Sequence, residues 1–246
     1  MLSEDELERY ARQIMLFGED GQKHLKDARI FIAGAGGLGC PVALYLAVAG
    51  VGHLRIADRD YVEQTNLNRQ VLHWEPDIGR EKVSSVADKL QAVNPHIDVE
   101  TVHLTIDESN VRELVGDADL IVDAMDNYPI RYLLNQVAYE KGIPLIHGAI
   151  RGFDGQAMTI IPGESACFNC VFPTAPPTEV FPVVGVTPGI IAMIQANEVI
   201  KYLLGKGKLL ANRLLIWNGL SSEMESMRIS KRPDCKVCGS TDKLQD

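Results

Sequence analysis

The chain reads as short apolar runs alternating with helical repeats. Ile30 to Ala33 is a continuous apolar run, which predicts a buried strand. Gly34-Ala35-Gly36-Gly37-Leu38-Gly39 follows, and then an apolar helical pattern to about Gly50. A second strand, about His53 to Ala57, ends at Asp58. Further strands are expected at about 98–104, 118–124 and 144–148, with helices at about 79–93, 109–115 and 130–141. This alternation predicts an α/β fold, a Rossmann-like doubly wound and mainly parallel sheet.

The pattern changes after residue 150. Gln156 to Ile161 predicts an antiparallel strand, and Cys167-Phe168-Asn169-Cys170 a turn. Residues 171–187 are Pro-rich and weakly patterned, so a long crossing loop is expected there. An apolar helix at about 188–204 and strands at about 213–217 and 224–229 close the pattern. The expectation is one domain over 1–246, with a nucleotide-binding half (1–150) and an antiparallel extension (151–246). At the other end, Ser3 and Glu6 form a capping box for an amphipathic helix at about 3–17. Leu7, Tyr10 and Ile14 share its inner face, and it should cover an edge outside the sheet.

The glycine-rich turn has the context of a nucleotide site: a strand before, a helix after and an acid about 20 residues on. Glycines there make the tight turn, admit backbone N–H groups to a phosphate and let helix and strand pack closely. Asp58 is placed to meet a ribose hydroxyl. The segment after it is polar where a dehydrogenase would go straight into a helix. Thr65, Asn66, Arg69 and Gln70 offer donors near the nucleotide. Lys82 falls near a helix N-terminus, where the dipole disfavours a cation unless an anion is present. That misfit suits a phosphate ligand, and a solvated surface lysine is the plainer alternative. Asp126 lies at the carboxyl end of a buried strand and suits Mg²⁺. Its plainer use is an N-cap or Asx turn for the helix after Pro129.

Net charge is −9, which argues against nucleic-acid or anionic-membrane partners. The first residues are acidic, without the apolar stretch of a signal peptide, and no apolar run is long enough to span a bilayer. A cytoplasmic location is expected. Four of the five cysteines form two C-x-x-C pairs, Cys167/Cys170 and Cys235/Cys238. Each pair sits in a turn-like setting rich in Pro and Gly, as in a structural four-thiolate zinc site built from two knuckles. A redox dithiol and an iron–sulfur cluster are the other readings.

These residues carry a resemblance that runs through almost the whole chain. Arg9-Tyr10-Ala11-Arg12-Gln13-Ile14, the glycine-rich turn, Asp58, Thr65-Asn66-Leu67-Asn68-Arg69-Gln70, Lys82, Asn94-Pro95-His96, Asp126-Asn127 and both cysteine pairs occur in the order of the ThiF/MoeB family. The chain looks most like the molybdopterin-synthase adenylyltransferase branch of these relatives of ubiquitin-activating enzymes. The resemblance implies adenylation of the C-terminal glycine of a small ubiquitin-like sulfur carrier ending in Gly-Gly, with ATP and Mg²⁺. It implies a catalytic set of Arg12, Arg69, Lys82 and Asp126. The nucleotide set is Gly34, Gly36, Gly37, Gly39, Asp58, Asn66, Arg69, Gln70, Lys82, Asp126 and Asn127. Arg12 matches an arginine that such homodimers insert into the neighbouring subunit's site.

One departure is informative. Many relatives carry a cysteine in the crossing loop, whereas residues 171–187 contain none and Thr178 falls near that place. A thioester step is therefore not expected, and sulfur would come from another protein. No rhodanese-like domain is expected after the second C-x-x-C. Activators of this kind serve molybdopterin, thiamine, sulfur amino-acid and tRNA thiolation routes. The competing readings are an NAD-dependent oxidoreductase, activation of a different carboxylate, and a binding subunit that keeps the fold without the catalysis.

Overall fold

The computed structural model describes residues 1–177 and 181–239. Two helices, α1 (Glu4–Arg9) and α2 (Ala11–Asp27), precede the first strand, β1 (Arg29–Ala33). Then come α3 (Gly39–Ala49), β2 (His53–Asp58), α4 (Lys82–Val93), β3 (Asp98–His103), α5 (Val111–Val115), β4 (Leu120–Asp123), α6 (Tyr128–Lys141) and β5 (Leu145–Arg151). The remaining elements are β6 (Asp154–Ile160), α7 (Phe168–Val171), α8 (Val186–Leu204), β7 (Arg213–Asn218) and β8 (Glu223–Arg228).

All eight strands form one sheet in the order β3-β2-β1-β4-β5-β6-β7-β8. The first five pair in parallel, and β6, β7 and β8 are added antiparallel. The expected doubly wound sheet with an antiparallel continuation is what the chain builds. Strand order reverses between β1 and β4, so a crevice opens at their carboxyl ends. The glycine-rich turn leaves β1 there, and Met125-Asp126-Asn127 leaves β4.

Alternation along β1 divides the core. Ile30 and Ile32 face α3, α4 and α8, while Phe31 and Ala33 face α5, α6 and α7. Helix α3 is apolar nearly all round because both the sheet and α8 cover it. It ends at Gly50, whose φ is +81°. A Cβ there would also lie 2.5 Å from the Tyr10 ring, so only glycine fits. The outer strand β8 is exposed throughout. Its Glu223, Glu225 and Arg228 put charge on the open edge, which discourages pairing with another sheet.

Three boundaries differ from the sequence pattern. The first helix is two, broken at Tyr10, and the second kinks at Gly18 (φ +77°). The Ser3–Glu6 capping box forms as expected. Tyr10 is the pivot: its hydroxyl accepts from Asn94 Nδ2 at 2.7 Å, which fastens the N-terminal segment to the end of α4. Helix α4 starts at Lys82 rather than 79. Gly79 is left-handed (φ +84°), and residues 79–82 instead exchange backbone bonds with Asp60 and Val62. Helix α8 starts two residues earlier than expected, since Pro188 is tolerated in a first turn. Thr178 lies outside the described residues. No helix among the described residues is long and apolar enough to cross a membrane.

Candidate active site

The crevice is built from the glycine-rich turn outward. Gly34 has φ +105° and donates its N–H to Ala57 at 2.8 Å. A Cβ on Gly39 would lie 1.9 Å from the Gly34 carbonyl, so this glycine lets the turn close. Asp58 is tied directly to the turn: Oδ2 accepts the Ala35 N–H at 2.7 Å and Oδ1 accepts the Asp60 N–H at 2.8 Å. Each oxygen keeps a further lone pair, enough for two ribose hydroxyls.

Polar groups from the 65–70 segment and from the start of α4 lie around this turn. Gln70 and Arg69 lie under Gly36 and Gly37: a Cβ at these glycines would be 3.7 Å from Gln70 Nε2 and from Arg69 Cγ. Arg69 is held by Nη1 bonds to the Thr65 carbonyl (2.8 Å) and Asn68 Oδ1 (3.0 Å). Asn66 is buried in a 3₁₀ turn, where its Oδ1 accepts the Glu63 N–H. Gln70 is buried with no partner for its Oε1 among the described residues. An orphaned amide beneath a glycine cradle fits a ligand that completes it. Lys82, the first residue of α4, is 5% exposed and donates to Asp60 Oδ2 at 2.9 Å. It is therefore not a solvated surface lysine, and Asp60 is the partner that the sequence did not reveal.

Asp126 is exposed just beyond β4, and its Oδ1 accepts from Asn127 Nδ2 at 3.3 Å. The cap of α6 is Asn127, whose Oδ1 accepts the Ile130 N–H at 3.1 Å. The capping role considered for Asp126 thus belongs to its neighbour, which leaves this carboxylate available to a cation. Arg12 stands apart from the crevice. It is exposed on α2 and shares a face with Met15 (80% exposed) and Leu16 (78%). Two features lacked a sequence signal: Gly185 and Pro188, at the start of α8, pack against Asn68 and Gly37 respectively.

Beneath the turn lies a buried polar chain. His73 Nε2 is 2.9 Å from the Ala35 carbonyl and Nδ1 is 2.9 Å from Ser85 Oγ. Burial lowers the pKa of His73, so the ring is neutral, with Nε2–H donating to Ala35 and Nδ1 accepting from Ser85. Lys89 donates to Ser85 at 3.1 Å and also to Asp77. Asp77 is buried, which alone would raise its pKa, but bonds from Lys89 and the Trp74 N–H bring it down to about 2. With the folded value below the unfolded one, this stabilisation is full above about pH 4 and fades as pH falls towards 2. The wild type should lose about 2 kcal/mol across that window. Asp77→Asn should not lose it. Equal acid sensitivity in paired denaturation curves would remove Asp77 from the account. Cys40 also lies here, fully buried, its thiol pushed up to about 12 chiefly by burial.

The cysteine pairs meet at the opposite face. All four sulfurs lie within 4.8 Å of one another. Cys167 is 3.5 Å from Cys235, and Cys170 is 3.2 Å from Cys238. A disulfide would need about 2.05 Å. A tetrahedral ion with bonds of about 2.3 Å needs roughly 3.8 Å between sulfurs. The Arg232 N–H points at Cys170 Sγ at 3.3 Å, as main-chain donors do around thiolate ligands. The group can hold a metal ion. The first pair sits not in an open turn but on the single helical turn α7, with Cys167 as its N-cap.

A glycine turn with an acid bonded to it, an arginine and a buried lysine close by, and an exposed carboxylate at the switch point are the features of a nucleotide-binding α/β fold. A ThiF family model matches residues 10–237, and the chain belongs to the ThiF family. It is 44% identical to a SAMP-activating enzyme E1 of Haloferax volcanii, over 100% of this chain and 94% of that protein. It is 41% identical to a sulfur carrier protein adenylyltransferase of Thermus thermophilus, over 96% of this chain and 92% of that protein. Among solved structures, E. coli MccB crystallised with selenomethionine MccA superposes with a TM-score of 0.83 at 25% identity, covering 97% of this chain and 76% of that one.

Proposed function

We propose that this enzyme adenylates the C-terminal glycine of a small ubiquitin-like sulfur carrier ending in Gly-Gly, releasing pyrophosphate from ATP. The observation that carries the reading is Lys82, a buried lysine beside Asp60 and the glycine-rich turn. The names of two relatives over nearly their full length point to the same reaction. In the reaction the carboxylate oxygen attacks the α-phosphorus, the bond to the bridging oxygen breaks, and pyrophosphate leaves with the electron pair. Charge builds on the leaving side, where Lys82 and Arg69 supply fixed cations. Asp58, held in place by the Ala35 N–H, orients the ribose end. Asp126 would hold Mg²⁺, which neutralises phosphate charge when bound.

No side chain need become acylated. Residues 171–187 contain no cysteine, and Cys40 is buried with a raised pKa, which suits a thiol that stays protonated. The four-cysteine group is assigned to structural zinc, since four thiolates leave no open position. The test of the function is carrier-dependent exchange of labelled pyrophosphate into ATP, with a panel of ubiquitin-like proteins ending in Gly-Gly. Exchange with one carrier identifies both the reaction and its pathway. No exchange with any carrier would turn the reading towards a different carboxylate.

Arg12 is assigned to the neighbouring subunit's site in a homodimer, and the exposed Met15 and Leu16 beside it supply apolar contact area. Arg12→Ala and Lys82→Ala should each be inactive alone. Subunit exchange between them should restore about a quarter of the wild-type sites, because half the dimers then hold one intact site. No recovery on mixing would place Arg12 elsewhere.

A further inference from the structure

We propose that His147 and Arg131 are positioning residues that fix the Met125–Asp126 turn through the buried carboxylate of Asp123. Asp123 ends β4 and is fully buried, where a bare carboxylate would be costly. Its Oδ1 accepts the Met125 N–H at 3.0 Å. Its Oδ2 lies 2.6 Å from His147 Nδ1 and 3.5 Å from Arg131 Nε. Arg131 also reaches back: its Nη2 donates to the Met125 carbonyl at 2.6 Å. Both main-chain polar groups of Met125 are thus tied to one buried ion pair. Asp126 is the next residue.

The His147 ring has one proton and one consistent place for it. Burial favours the neutral imidazole. Nδ1–H donates to Asp123, and Nε2 accepts from Gln156 Nε2 at 3.3 Å. Phe168 meets the ring edge-on at 5.0 Å and holds its plane. From the other side, Gln195 of α8 donates to the Asp123 carbonyl at 2.8 Å. The chain of bonds therefore runs from β6 through β5 and β4 into the turn.

Stability alone does not explain this arrangement. A buried ion pair is often no better than apolar residues of similar volume. Here Arg131 Nε and Gln195 Oε1 are buried without a hydrogen-bond partner among the described residues. What the pair supplies is one fixed geometry for the backbone beside Asp126. Groups that orient a metal-binding carboxylate from behind typically change metal affinity 10- to 100-fold when lost.

The inference rests on the reading of Asp126 given above. Two variants of similar size separate the roles. In His147→Asn the amide nitrogen stands as many bonds from Cβ as Nδ1, and in His147→Gln as many as Nε2. Mn²⁺ affinity is read by electron paramagnetic resonance, with a non-hydrolysable ATP analogue and no carrier. The Mg²⁺ dependence of pyrophosphate exchange is measured alongside. His147→Asn should bind the ion within about threefold of wild type, and His147→Gln at least about tenfold more weakly. Metal-free affinity for the analogue should change less than about twofold in both. Equal metal affinity in the two variants, whether intact or reduced, overturns the positioning role. Failure of the wild type itself to bind the ion with nucleotide would instead defeat the reading of Asp126, and the inference with it.

Discussion

Lys82→Ala is expected to slow carrier-dependent pyrophosphate exchange by at least about a hundredfold, the usual cost of removing a preorganised donor from developing charge. Lys82 is 5% exposed, so its charge acts through a poorly screened medium. Its ammonium is fixed by Asp60, which is in turn bonded to Asp58 through the main chain. The lysine therefore needs no reorganisation as the pyrophosphate leaves. The fold should survive the change, because Asp60 is about half exposed and water can take over its hydration. Asp60→Asn makes a useful contrast: the cation stays and keeps an acceptor but loses its ionic partner, so a smaller loss is expected. Exchange in Lys82→Ala above a tenth of wild type, from protein with an unchanged melting curve, would remove this lysine from the phosphate site.

Removing the ion proposed for the four cysteines should have the second-largest effect, on stability rather than rate. Cys167 and Cys170 are buried in the core that includes Phe168 and Leu214, whereas Cys235 and Cys238, 68 residues further along, pack against it only half-buried. An ion shared by the two pairs closes a loop that contains α8, β7 and β8. Without it, the segment after β8 is held by few buried groups. A contribution of about 5 kcal/mol, below that of isolated zinc modules, would lower the melting temperature by roughly 10–20 °C. Proteolysis after β8 should become fast in the stripped protein. Unchanged melting and unchanged cleavage after verified metal removal would mean that the thiols do not carry a structural ion.

Much of this was readable because the signals were local. Strand β1, the glycine turn and Asp58 declare themselves through an apolar run, a turn composition and a spacing. The paired C-x-x-C motifs do the same for the thiol cluster. What the sequence hid depends on contacts between distant segments. Asp60 looks like any loop carboxylate until α4 starts at Lys82, three residues late, because residues 79–82 pair with 60–62. Asn127 and Asp126 were interchangeable as helix caps on composition, and only the backbone path distinguishes them. His147 sits within the apolar stretch Leu145 to Ile150 of β5, where a buried histidine has no local signature. Its meaning appears only when β4 places Asp123 beside it.

The burial of Cys40 has a practical side. Cys40 is sealed in the core away from the other four, with its thiol pushed up to about 12, so reagents that need thiolate at neutral pH should pass it by. The remaining four converge on one point. A colorimetric thiol count on the native enzyme thus becomes a gauge of metal occupancy: near zero when the ion is in place, higher when it is withdrawn and the half-buried Cys235 and Cys238 are released, and five only after denaturation.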